Sequence, residues 1–302
     1  MKKFIILFCL LILLPTFGCV QKESESLDTI PPVNTLPLPD QDFSQEDDSE
    51  NEENAEEDSA NGEDSGNGEN NSDFEEEDKD TNNDNNDIFE EVKTKYYIVS
   101  TTNSLRVRTK PSSNSLVVGY LDRNDALVLI EKVGNYYKTT FKGKTAYVHA
   151  SFVSLMEIEI SNEKVEKAID IGSTLMGYPY VWGSQRYHWG NGKLNTNFVD
   201  GEFDCSALTL YVYYHSDKII LDVTSRAQVN NGKEVKRNDL QRGDLMFFTN
   251  ESRKNKVGDE RIGHVGIYFG NNYILHTASD HAVIEPISNT RWGYYITARR
   301  VV

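Results

Sequence analysis

One cysteine and two histidines carry the chemistry open to this sequence. Cys205 lies in "EFDCSALTLYVYYHS", where a helical pattern begins. The other cysteines are Cys9, inside an apolar N-terminal run, and Cys19, just past it. Cys205 therefore has no disulfide partner in the rest of the chain, which leaves a reactive thiol or a small buried hydrophobe. Its setting favours the thiol. Asp204 suits a helix N-cap, and free N–H groups at a helix start favour a thiolate and lower its pKa. A thiolate nucleophile also needs a base, commonly histidine. Of the six histidines, His149, His188, His215 and His281 read as surface or structural groups. His264 and His276 stand apart, in "RIGHVGIYFGNNYILHTAS". This stretch reads as a β-hairpin closed by Gly270-Asn271-Asn272. A three-residue connection sets Phe269 opposite Tyr273 and Gly266 opposite His276. Both histidines then share one face, a diagonal step apart, whereas a two-residue loop would put them on opposite faces.

The elements that must hold these residues follow from pattern. "SNEKVEKAIDIGSTLMG" is a helix capped by Ser161 and stopped at Gly177, with Val165, Ala168, Ile169, Gly172 and Leu175 on its buried stripe. Residues 95–156 break into short strands separated by turns, the signature of a small β-barrel. Upstream, "MKKFIILFCLLILLPTFGC" has a basic start, a short apolar run and a small residue before Cys19, the layout of an export signal over residues 1–19. Residues 20–94 read as a disordered linker. Between Asp40 and Glu91 stand roughly 24 acids and one lysine, a composition that cannot offset chain entropy by burial. The formal net charge of −17 is thus carried by the linker; past Glu91 there are about 27 basic and 21 acidic residues. A mildly cationic folded part suits an anionic polymer such as a cell wall. No paired cysteines and no HExxH spacing occur, so neither a metal nor another cofactor is expected.

Two resemblances sharpen this reading. "LRVRTKPSSNSLVVGYL" and "NYYKTTFKGKTAYVHASFVS" resemble the bacterial SH3-like wall-binding domains, which implies wall binding or positioning of a neighbouring domain. Residues 161–302 resemble the NlpC-type papain-like peptidases of bacterial cell walls, through "YPYVWGS", "FDCSAL", "LQRGDLMFF", "GHVGIY" and "ILHTAS" in the family's order. That resemblance implies an α+β, papain-like domain with N-terminal helices packed on an antiparallel sheet. It makes Cys205 the nucleophile, His264 the general base and His276 the residue orienting it. Tyr180 would assist substrate or oxyanion binding. Asp204 and Ser206 match positions that contact the stem peptide in enzymes recognising its free amino end. The N-terminus is similar to a lipoprotein signal, with lipid on Cys19, although Thr16 and Phe17 depart from that pattern.

Further departures are Ala207 for glycine after "DCS", Ser184 for the second glycine of "WGG", and Val223 where the family often has arginine. The gap from Tyr180 to Cys205 and the segment 250–261 are both long, and both are expected to border the cleft. The implied function is an exported, lipid-anchored peptidoglycan endopeptidase at the outer face of the membrane or cell envelope. It would cut stem peptides at the γ-D-glutamyl–diamino acid bond. The alternatives are an amidase, transpeptidase or acyltransferase on the same fold, or a non-catalytic wall-binding lipoprotein. A monomer that contacts peptidoglycan and membrane but no nucleic acid is expected.

Overall fold

A computed structural model describes residues 93–278 and 280–302. The expected export signal, Cys19 and the expected linker lie outside the described residues.

The first module is built from eight strands: β1 (Thr94–Ser100), β2 (Leu105–Arg108), β3 (Val117–Leu121), β4 (Ala126–Val128), β5 (Glu131–Val133), β6 (Tyr136–Phe141), β7 (Lys144–His149) and β8 (Val153–Glu159). They form two antiparallel sheets, β4-β1-β8 and β3-β2-β7-β6-β5. Alternation accounts for the core. Leu105 and Val107 are buried while Arg106 between them is exposed, and Ala146 and Val148 repeat the pattern on β7.

The second module opens with α1 (Glu163–Thr174) and α2 (Cys205–Asp217). Asn162, not Ser161, caps α1: its side chain accepts from Val165 N, while the Ser161 N–H is taken by the Glu166 carboxylate. The helix ends at Thr174 with Leu175 as C-cap, and Gly177 turns the chain two residues later at φ +86°. α2 is buried along almost its whole length, with Leu208, Val212 and Tyr213 fully covered. Each such side chain contributes roughly 1.5–3 kcal/mol on burial. Short α3 (Ser225–Gln228) follows, then β9 (Lys233–Val235), β10 (Leu245–Phe248), β11 (His264–Gly270), β12 (Tyr273–Ala278), β13 (His281–Pro286), α4 (Asn289–Gly293) and β14 (Tyr295–Arg300).

These strands make one antiparallel sheet in the order β13-β12-β11-β10-β14-β9. Helices and sheet meet closely: a Cβ added to Gly172 of α1 would lie 2.7 Å from Leu275 of β12 and 3.5 Å from Val212 of α2. The mixed α+β architecture expected from the sequence is present.

The β11–β12 hairpin departs from expectation at its turn, where Gly270 and not Phe269 pairs with Tyr273, and keeps the expected register from Tyr268 back toward His264. Asn271 and Asn272 form a two-residue turn, with φ of +50° and +62°. The register slips by one between Tyr268 and Gly270, so Gly270 pairs with Tyr273 while Ile267 pairs with Leu275. This bulge adds back the residue that the short turn removes. Gly266 and His276 are accordingly level across the hairpin, and a Cβ on Gly266 would lie 2.9 Å from the His276 Cβ.

Candidate active site

Cys205 is the first residue of α2, and Asp204 caps that helix by accepting from Ala207 N at 2.8 Å. The thiol accepts a backbone hydrogen bond from Val265, the residue after His264, and this ties the head of α2 to the start of β11. His264 and His276 share a face of the hairpin, with His264 Nε2 2.8 Å from His276 Nδ1. The chain of contacts continues beyond the residues singled out by sequence. His276 Nε2 lies 2.8 Å from Glu285 Oε1 on β13, and Arg291 Nη2 donates to the same carboxylate oxygen at 3.1 Å.

This network fixes the tautomers. Burial alone would raise the Glu285 carboxyl, but the hydrogen bonds and charges of His276 and Arg291 hold it below its ordinary value. As a carboxylate Glu285 only accepts, so His276 carries its proton on Nε2. His276 Nδ1 is then an acceptor, His264 donates from Nε2, and His264 Nδ1 keeps its lone pair. Both rings are held neutral. Burial lowers the His276 pKa to about 4, against the opposing pull of Glu285. Burial, His276 and Arg291 place His264 well below 6.5.

The thiol departs from the sequence expectation of a lowered pKa. Burial, followed by the adjacent Asp204 carboxylate, pushes it up to about 12, against the N–H groups of Val265 and Ser206 and the charge of Arg186. Cys205 is therefore a neutral thiol and His264 a neutral imidazole. Tyr180 bridges to Phe203 just before the helix. Burial first, then the charges of Cys205 and Asp204, raise its hydroxyl to about 12, so it stays protonated and able to donate.

Asp204 and Ser206 are engaged within the chain. Asp204 Oδ2 accepts from Arg186 Nη2 at 2.8 Å and from Gly183 N at 3.2 Å, while Oδ1 accepts from Ser206 Oγ at 3.0 Å. The remaining histidines serve packing or local turns. His188 and His215 join an aromatic cluster with Tyr187, Tyr211 and Tyr214, and His149 accepts from Ser151 N. Among the described residues no three His, Cys, Asp or Glu side chains converge to hold a metal ion. On the barrel, Arg106, Arg108, Tyr120, Tyr136, His149 and Phe152 line a groove of about 430 Å³.

Sequence reasoning missed Glu285, Arg291 and Arg186. Glu285 left a trace, as the one acid in the apolar strand "HAVIEP". His276 pairs with Val283, so Glu285, two residues on, shares its face.

Residues 177–301 match the model of the NlpC/P60 family, and residues 103–154 match that of the bacterial SH3 domain. Curated relatives include the peptidoglycan DL-endopeptidase CwlO of Bacillus licheniformis, 29% identical over 149 residues, covering 48% of this chain and 30% of the relative. A gamma-D-glutamyl-L-lysine dipeptidyl-peptidase of Bacillus cereus is 30% identical over 145 residues, covering 47% of this chain and 38% of the relative. The chain thus spans about a third of the length of these relatives. A solved NlpC/P60 family protein from Bacillus cereus aligns over 68% of this chain and 63% of its own at 23% identity, with a TM-score of 0.36.

Proposed function

From a chain that carries an NlpC/P60 domain behind a bacterial SH3 domain, we propose an exported peptidoglycan endopeptidase that cuts stem peptides through Cys205, His264 and His276. The observation that carries this reading is the unbroken line His264–His276–Glu285 beside the head of the Cys205 helix. Its tautomers leave His264 Nδ1 free to take a proton.

As sulfur attacks the peptide carbonyl, the thiol proton passes to His264 and an S–C bond forms. The tetrahedral oxyanion collapses, the C–N bond breaks, and His264 gives its proton to the leaving amine. Water, deprotonated by His264, then attacks the thioester and returns the thiol. Backbone N–H groups at the start of α2 and the Tyr180 hydroxyl are the donors available to the oxyanion, and losing one such donor raises a barrier by about 3 kcal/mol. The bond proposed for cleavage joins γ-D-glutamate to a diamino acid, in keeping with the substrates named for the relatives. Lipid on Cys19 would hold the enzyme at the membrane, with the acidic segment as spacer. The barrel groove would meet the wall polymer.

Digestion of defined muropeptides, read by mass spectrometry, tests the reading. The expected products are the two halves of the cut stem peptide, and Cys205→Ala and His264→Ala should each abolish them. Transfer products in place of hydrolysis would move the chemistry to a transpeptidase or acyltransferase. Wild-type turnover in either variant would overturn the cysteine mechanism.

A further inference from the structure

The barrel carries a groove of about 430 Å³ that the cysteine chemistry does not use. Two cross-strand pairs shape it: Arg106 of β2 opposite Tyr120 of β3, and Tyr136 of β6 opposite His149 of β7. Aromatic rings supply much of the lining. Tyr136 meets His149 edge to face at 4.9 Å, and His149 meets Phe152 at 5.6 Å. Tyr120 and Phe152 are 55% and 49% exposed, so two large rings stand open to a ligand in one groove.

The charged groups of the groove are all of one sign. Arg108 donates from Nη1 to the Ser115 carbonyl at 2.8 Å, which fixes the guanidinium and leaves its other N–H groups to a ligand. Arg106 has no hydrogen bond or ion pair among the described residues. His149 Nδ1 accepts from Ser151 N at 3.3 Å, so the neutral ring carries its proton on Nε2 as a further donor. Among the described residues no carboxylate lines the groove, and Asp122 beside it accepts from Ser104 N at 3.2 Å. The surrounding module is basic: residues 93–159 hold ten lysines and arginines against five acids. Such a site favours an anion. It does not suit a stem peptide, whose diamino acid brings an ammonium that finds no acid here.

We propose that this groove binds a phosphodiester-linked polyol chain, its phosphates held by Arg106 and Arg108 and its polyol units laid on Tyr120 and Phe152. A guanidinium fork matches a pair of phosphate oxygens. Alternate residues of a strand stand about 7 Å apart, so one short repeat of the chain reaches from the first arginine to the second. The hydroxyls of Thr102, Ser104 and Ser113 line the same groove and can meet those of the polyol. The inference rests on the reading of the barrel as the wall-facing module and names its ligand; it makes no use of Cys205.

The test titrates the full chain with soluble poly(glycerol phosphate) by calorimetry at low and at physiological salt, with neutral dextran alongside. The wild type should bind the polyphosphate, bind it more weakly as salt rises, and ignore dextran. Arg106→Gln breaks no bond within the chain, and should weaken binding by about tenfold through the loss of one charge-assisted contact. Lys132→Gln, at the opposite edge of the same sheet, should bind as the wild type does. No binding at low salt, or an Arg106→Gln affinity equal to wild type, overturns the proposal. So does an equal loss in Lys132→Gln, which would mean diffuse attraction to a basic surface, or dextran binding as tight as that of the polyphosphate. Displacement of the polymer by an equal concentration of stem tetrapeptide would make the groove a peptide site and also overturns it. Muropeptide digestion is read separately. A barrel that fails this test leaves the endopeptidase reading standing, and an inactive enzyme that binds the polymer leaves this inference standing.

Discussion

At the scale of the residue, the site depends on two histidines kept neutral by burial and aligned by one carboxylate. In the proposed mechanism His264 must be unprotonated to accept the thiol proton. Burial, His276 and Arg291 all lower its pKa, so the ring stays a base as pH falls through the ordinary histidine value. The sign is therefore fixed: activity is retained at pH 6.5 and lost only when pH falls through the depressed value. A pH–rate profile of kcat/KM should show its acid limb below pH 6.5, and an inflection at or above 6.5 would contradict the burial argument. Glu285 acts one step further out. Glu285→Gln presents an amide that can donate as well as accept, so His276 is no longer held to one tautomer. It should lower kcat by roughly tenfold or more, short of the roughly 10²–10⁴-fold that general acid–base catalysis supplies, because His264 itself remains.

At the scale of the element, the β11–β12 hairpin decides whether the two histidines meet. Gly266 lies beside His276, and a Cβ there would fall 2.6 Å from Ile274 and 2.9 Å from the His276 Cβ. Gly266→Ala should cost about 1–3 kcal/mol of stability, as overpacking does. It should also lower kcat, because His276 must shift relative to His264; the urea midpoint and steady-state kinetics of the same variant give the two effects. An unchanged kcat would show that the ring contact tolerates the displacement. The hairpin also marks what sequence makes legible. Alternation and the connection read as Gly270-Asn271-Asn272 placed both histidines on one face, although the turn itself is the two residues Asn271 and Asn272. The bulge that reconciles a two-residue turn with that register was not visible, because a ladder slip is a property of two strands together. Asp204 as N-cap was legible for the same local reason, while Ser161 and Asn162 are both capping residue types and it is the Asn162 side chain that accepts from Val165 N. The raised thiol pKa was illegible, since it follows from how deeply α2 is covered rather than from the helix start alone. Arg186 reaches Asp204 across 18 residues of irregular chain, a distance over which no periodicity speaks.

At the scale of the whole molecule, the barrel and the C-terminal module are bolted together rather than strung on a linker. Arg242, just before β10, donates to Glu166 of α1 at 2.7 and 3.1 Å and to the Tyr97 hydroxyl of β1 at 2.5 Å, and also to the Phe269 carbonyl of β11. Tyr97 and Phe269 meet edge to face at 4.7 Å. The hairpin turn is held from the barrel side as well: Asn271 Nδ2 donates to the Glu157 carbonyl of β8 at 3.0 Å. On another side, Lys142 N and Gly143 N donate to the carbonyls of Met176 and Thr174. The barrel therefore braces the strands that carry His264 and His276, and the two modules should unfold as one cooperative unit. The three tryptophans, Trp182, Trp189 and Trp292, all lie in the C-terminal module, so their fluorescence follows that module alone. Amide exchange at the buried strand residues Thr139 and Val148 follows the barrel. The two probes should give the same unfolding free energy. Arg242→Ala leaves the Glu166 carboxylate with only the Ser161 N–H at 3.0 Å and Lys95 at 3.9 Å, and should lower both values together by about 1.5–3 kcal/mol. A loss confined to the fluorescence transition, with barrel exchange unchanged, would mean that the barrel is stable on its own and that Arg242 serves only the C-terminal module.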